Sequence, residues 1–250
     1  MGLQKGLDDQ VVDMLLALPD LLSQANAIQA ASSPAIKLCL SLRLVRMSLC
    51  IEADLGAWYA RFADTVTGPL CWAVLSTSDN AANASELGKL FPVSFQFPAF
   101  VVAQPLLLYW LGLFVVHNQL CFAYQILAGL VEAEDQSVME CLCEKKDNDD
   151  DVHSVISMCP RHFKLQMLPP LGHRIEGSRS LGSKICQSTE YFLQDKMRSM
   201  GASLMMMVLI VVRAYWKDEP HDMSRHIMWI SDVLAKIRTK GNEIAGFIEP

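Results

Sequence analysis

The stretch Phe100–Leu130 reads FVVAQPLLLYWLGLFVVHNQLCFAYQILAGL and decides the fold. No Asp, Glu, Lys or Arg occurs between Leu90 and Val131. Apolar residues recur on every side of a 3.6-residue period, so the stretch predicts a helix that is apolar almost all round. Such a helix belongs at the centre of a core or in a membrane. Length and hydropathy allow a transmembrane span. Pro105 and the polar residues Gln104, His117, Asn118, Gln119 and Gln125 oppose it, because polar groups in hydrocarbon must find partners. The expectation is a buried central helix, with Pro105 in its first turn or at a kink.

Outward from this helix, the text stays helical. Leu44, Met47, Ser48, Ile51, Leu55, Trp58, Tyr59 and Phe62 step by three and four, with Arg43, Arg46, Glu52 and Asp54 mostly at the other positions. A first helix is expected over roughly 8–25, with Asp8 and Asp9 at its positive end and Val11, Leu15, Leu18 and Leu22 on one face. Ala30-Ala31-Ser32-Ser33-Pro34 breaks it. Gly68-Pro69 ends the next unit, the loop 76–89 is polar, and Phe91–Phe97 is extended between prolines.

Beyond 180 a helix is expected from near Leu181, with Cys186, Thr189, Leu193, Met197 and Met200 on one face. Gly201 is tolerated or marks a break before Leu204–Trp216. Lys217-Asp218-Glu219-Pro220 reads as a turn. Met223, Ile227, Ile230, Leu234 and Ile237 line the core face of a last helix, whose end is marked by Lys236, Arg238, Lys240 and Gly241. Strand signals are nearly absent. The fold class is therefore all-α: one helical domain over 1–250, of six to eight packed helices.

The chain has 250 residues, 52% of them hydrophobic and 19% charged, which excludes an intrinsically disordered chain. Its net charge of −6 is uneven: −4 over residues 1–133, −6 over 134–151 and +4 over 152–250. One acidic segment thus equals the whole net charge. With the Pro and Gly that follow, residues 134–180 read as a loop or insertion inside the domain. An acidic chain is not built to bind phosphate backbones.

Chemistry-bearing motifs are few. There is no G-x-S-x-G, no Gly-rich phosphate loop and no H-E-x-x-H. Cys141-x-Cys143, His153 and Cys159-x2-His162 have the right donor types for zinc, but the C-x-C spacing is tighter than zinc knuckles use. The expectation is no metal, no cofactor and no catalytic residue. The eight Cys are read as reduced thiols of an intracellular protein, since no apolar leader follows Met1. His117 is read as a core histidine with a satisfied partner. Met205-Met206-Met207 and the five Trp are read as packing residues.

Certain strings carry a family resemblance. They are Leu18-Pro19-Asp20-Leu21-Leu22, the helix ending Glu52-Ala53-Asp54-Leu55-Gly56-Ala57-Trp58, and Leu106-Leu107-Leu108-Tyr109-Trp110. Most specific is the run from Ile185-Cys186-Gln187-Ser188-Thr189-Glu190-Tyr191 to Met197, with Met200-Gly201 after it. Across residues 10–240 the chain resembles the C-terminal, fungal-specific regulatory region of zinc-cluster transcription factors. Members usually carry an N-terminal six-Cys cluster opening C-x2-C-x6-C, and this chain has no such spacing. The expectation is a fragment or a standalone relative without the DNA-reading module. The resemblance implies a nuclear location, with the cytoplasm as the alternative. It also implies action through protein partners or a small effector, with no nucleic-acid contact of its own and no membrane. Two other readings stay open. One is a helical enzyme or binder of secondary metabolism, using a pocket where His117, Asn118, Gln119 and Tyr124 converge. The other is a membrane-associated helical protein.

Overall fold

The computed structural model describes residues 6–80, 82, 88–134, 164–217 and 223–239. Among these residues the fold is all-α apart from one small hairpin. Helices α1 (Leu7–Leu15), α2 (Leu18–Ala30) and α3 (Pro34–Thr65) lead to strands β1 (Trp72–Leu75) and β2 (Val93–Gln96). Helix α4 (Phe100–Glu134) follows, then α5 (Arg174–Gln187), the single turn α6 (Thr189–Phe192), α7 (Arg198–Lys217) and α8 (Ser224–Thr239).

Helix α4 is central, as its composition requires. It packs most extensively against α3 and α5, and also against α1 and α2. Ala103, Leu106, Leu107, Phe114, Val116, Leu120, Ala123 and Leu127 are all fully or almost fully buried. Pro105 lies inside the helix, past its first turn. It gives no N–H to the carbonyl of Val101, a residue 65% exposed, where water can take that bond. Among the described residues, three segments are long and apolar enough to cross a membrane by length and composition alone: Asp9–Ala30, Phe100–Glu132 and Asp195–Lys217. The first is interrupted at residues 16–17, and most of the α4 window is buried inside the protein.

The expected stripe on α3 is present: Leu44, Ser48, Ile51, Leu55, Trp58 and Phe62 are buried. The fully buried Trp58 donates its indole N–H to the carbonyl of Leu7 at 2.7 Å, tying α1 to α3. Pro34 stands in the first turn of α3, where its missing N–H costs nothing. Gly68, just beyond the end of α3, has φ +98, a left-handed conformation that glycine alone adopts freely.

Several expectations need correction. The single helix over 8–25 is two helices. Pro19 has no N–H for the carbonyl of Leu15, and its ring would strike that carbonyl in a continuous helix, so α1 stops there. The core face of α2 is Leu21, Ala25 and Ile28, while Leu22 is 40% exposed. The expected extended segment Phe91–Phe97 is present, but it is not alone: β2 within it pairs with β1 as an antiparallel hairpin, with Trp72 opposite Gln96 and Leu75 opposite Val93.

Helix α5 begins at Arg174, not near Leu181. The single face from Cys186 to Met200 is broken by the turn α6 and a 3-10 turn at Asp195–Met197, and Met200 is 65% exposed. Helix α7 runs unbroken through Gly201. Met205 and Met206 are core residues, but Met207 is 61% exposed. Trp58, Trp110, Trp216 and Trp229 are packing anchors, whereas Trp72 is 43% exposed.

The last helix matches its expected face, with Ile230, Leu234 and Ile237 buried alongside Trp229 and Val233. The acidic cluster Asp147–Asp151, the 218–220 turn, Lys240 and Gly241 lie outside the described residues.

Candidate functional site

The polar residues of α4 do not form one cluster. Successive helical side chains turn by about 100°, so adjacent positions serve different neighbours. His117 reaches α3, where its Nε2 lies 3.0 Å from Glu52 Oε1. Asn118 donates to the carbonyl of Phe114 one turn back, at 2.7 Å. Gln119 donates from Nε2 to the Tyr215 phenol of α7 at 2.8 Å. The Tyr124 hydroxyl donates to the carbonyl of Pro169.

Glu52 is the hub of an ionic cluster joining α3, α4 and α5. Arg174 lays its guanidinium edge against it, with Nε 2.8 Å from Oε1 and Nη2 2.8 Å from Oε2. Each of these two side chains is 18% exposed. Burial pushes the Glu52 carboxyl up, but the hydrogen bonds and charge of Arg174, helped by His117, outweigh it and hold the carboxyl below its ordinary value. Burial pushes His117 below its ordinary value, and the attraction of Glu52 only partly offsets this. The lowered value favours the neutral ring, and facing the Glu52 carboxylate, which can only accept, Nε2 is the donor. Its Nδ1 is buried and has no hydrogen-bond partner. Gly177 of α5 covers that edge so closely that a Cβ there would stand 3.3 Å from Nδ1.

On the other side of α5 lies a cavity of about 660 Å³ between α2, α4, α5 and α7. Asn118, Gln119 and Tyr124 line it, and His117 does not. The pocket imagined from sequence thus gathers three of its four residues. Tyr215, Ser178, Arg179, Asn26, Gln29 and Gln125 add further polar groups, and the remaining wall is apolar. No Asp, Glu or His lines it among the described residues.

A second cleft, of about 600 Å³, lies between β1, α6 and α8. At its edge Glu190 accepts from the Ser76 hydroxyl, the Thr77 amide and hydroxyl and the Ser78 amide. Burial works to raise the Glu190 carboxyl. These donors outweigh it, and the carboxyl sits below its ordinary value.

No group of three or more His, Cys, Asp or Glu is placed for a metal among the described residues. Cys141, Cys143, His153, Cys159 and His162 lie outside them. Among the described residues, Cys39, Cys50, Cys71, Cys121 and Cys186 form no disulfide. Burial pushes the thiols of Cys71 and Cys186 above their ordinary value, which suits inert structural cysteines.

Sequence reasoning placed Glu52 on an outer face and did not single out Arg174 or Tyr215. A signal for Glu52 was available. It follows Ser48 by four and precedes Leu55 by three, so it flanks the apolar stripe. A carboxylate there needs a cationic partner.

The fold and site define a packed all-α domain with a cavity beside its central helix and an ionic clamp on the helix that walls it. Compared with protein-family models, curated proteins and solved structures, the chain matches none.

Proposed function

We propose that this chain is an effector-responsive regulatory domain, related to the fungal-specific region of zinc-cluster transcription factors. It acts in the nucleus through protein partners and a small molecule, without contacting DNA itself. The observation that carries the reading is the cavity walled by α5, a helix whose first residue is clamped to α3 by Arg174 and Glu52. A ligand in the cavity touches α2, α4, α5 and α7 together. Any arrangement of α5 that changes the cavity changes ligand affinity, and unequal affinity is what shifts a conformational balance.

The cavity lining supports binding over turnover. Acid–base catalysis at neutral pH most often uses a carboxylate or an imidazole within hydrogen-bond reach of the substrate; among the described residues neither lines this cavity, and burial holds the phenols of Tyr124 and Tyr215 above their ordinary value. The burial of α4 by α1, α2, α3 and α5 supports a packed interior over a membrane span, because it accounts for the apolar surface without lipid.

The test is a reporter assay with the chain fused to a heterologous DNA-binding module. The expected result is transcription that differs from that of the module alone, and that changes further when Arg174→Met releases α5. Output indistinguishable from the module alone overturns the reading. So does sequence-preferring DNA binding by the purified chain at physiological salt.

A further inference from the structure

The Gln119 amide and the Tyr215 phenol stand together in the cavity wall. Gln119 is 7% exposed, and its Oε1 is closed off from solvent with no hydrogen-bond partner. An amide oxygen left dry and unpaired opposes folding, and in a native protein it calls for an explanation. The pair has a property that does not depend on which way the amide faces. With Nε2–H given to the phenol oxygen, the amide oxygen and the phenolic proton remain. With the amide reversed, the phenol donates to the amide oxygen, and the amide N–H and a phenol lone pair remain. Either way at least one donor and one acceptor are left side by side. The terminal torsion of Gln is broad, so turning the amide toward the cavity is an easy motion.

The ligand group that meets a donor and an acceptor together is a hydroxyl. Asn26, Gln29 and Gln125 add amides to the wall, but the larger part of the surface offered to a ligand is apolar. Leu22 and Ile175 are large apolar side chains left 40% and 55% exposed, and both line the cavity, as do Phe122, Leu165 and Leu171. A cationic head is disfavoured. No carboxylate lines the wall among the described residues, so a cationic head finds no counter-ion. Arg179, in the cavity wall, is engaged within the protein, and the octanoate probe below reads what its charge offers an anionic head. Burial also holds the Tyr215 phenol above its ordinary value, keeping its proton in place.

We infer that the cavity binds a neutral, mainly apolar molecule through a hydroxyl group that pairs with both Gln119 and Tyr215. This inference rests on the cavity being the effector site proposed above, and it names the chemical class of that effector. The test is calorimetric titration of the full chain with 1-octanol, octyl methyl ether and octanoate. These probes share an apolar tail and differ in the head group.

Octanol is expected to bind about tenfold more tightly than the ether, the ratio that one net hydrogen bond supplies, and more tightly than octanoate. Gln119→Met keeps the shape of the side chain and is expected to erase the preference for the alcohol. Tyr215→Phe is expected to narrow it, and serves alone if the Met variant does not unfold cooperatively. Equal binding of alcohol and ether overturns the inference. So does tightest binding by octanoate, an unchanged preference in the variants, or no binding of any probe. The result is separable from the reporter assay. Alcohol-selective binding by a chain that is silent in the reporter removes the regulatory role and keeps the ligand class, and an active reporter with no probe bound does the reverse.

Discussion

Arg174, the first residue of α5, pairs the Nε–Nη2 edge of its guanidinium with both carboxylate oxygens of Glu52 in α3, a residue 122 positions earlier. The same carboxylate receives the Nε2 proton of His117 from α4. Three helices that are distant in sequence thus meet at one acidic side chain. Arg174 also donates from Nη1 to the carbonyl of Pro170 at 3.0 Å, and Tyr124 donates to the carbonyl of Pro169. The path of the chain into α5 is therefore fixed from both sides, and with it the wall of the cavity.

Removing either partner of this clamp leaves a half-buried charge poorly paired. Glu52→Gln and Arg174→Met are each expected to destabilise the protein by about 2 kcal/mol, the scale of hydrogen bonds to charged groups. The double variant is expected to cost less than the two changes added together, because neither charge is left alone. Urea unfolding checks this. The midpoint falls while the slope of the transition stays constant.

The same cluster sets a pH dependence. His117 sits below its ordinary value of 6.5, so the unfolded chain takes up its proton more readily than the folded one. Stability from this group is present above that pH and is lost as pH falls below it. Glu52 and Glu190 sit below their ordinary value of 4.5. Their contribution holds above that value and is lost as pH falls further, through their folded-state values. The urea midpoint is therefore expected to decline in two stages on acidification. His117→Gln keeps a donor toward Glu52 and removes the titrating ring, so it is expected to abolish the upper stage alone.

What the sequence reveals follows from which interactions are periodic. The stripes on α3 and α8 and the all-round apolarity of α4 are repeated many times over, so they can be read directly. The division between α1 and α2 is legible in Pro19 alone, but the apolar steps through Val11, Leu15 and Leu18 mask it. The start of α5 is hidden because Gly177 and Gly182 resemble loop residues. Their role is close packing against partners far away in sequence. The hub at Glu52 and the Gln119–Tyr215 pair are single long-range matches with no repeat to announce them.

Glu190 makes a prediction about the loop that follows β1. Four donors from Ser76, Thr77 and Ser78 converge on its two oxygens. Glu190→Gln replaces one acceptor oxygen with an amino group that faces those donors. The expected cost is about 1–2 kcal/mol. Hydrogen exchange locates it. The amides of Thr77 and Ser78 are expected to lose protection, while those in the middle of α4 change only by the global loss of stability.

The glycines of the helices separate local preference from packing. Alanine is favoured over glycine inside a helix by about 1 kcal/mol. Gly129, near the end of α4, is exposed, and nothing lies within 4 Å of the place a Cβ would take. Gly129→Ala is therefore expected to raise stability by roughly that amount. At Gly182 in α5 a Cβ would stand 2.5 Å from Trp216 Cζ2 and 3.2 Å from Phe114 Cε2. Trp216 and Phe114 are both buried and held by packing, so neither ring can retreat freely. Overpacking of this kind costs about 1–3 kcal/mol and outweighs the helical preference. Gly201 is tighter still. A Cβ there would fall 2.0 Å from the carbonyl oxygen of Phe192, which is backbone and cannot change rotamer. The expected order of thermal midpoints is Gly129→Ala above the unaltered chain, Gly182→Ala below it, and Gly201→Ala lowest. A midpoint for Gly182→Ala at or above that of the unaltered chain would show that α5 does not approach α7 as closely as this packing requires.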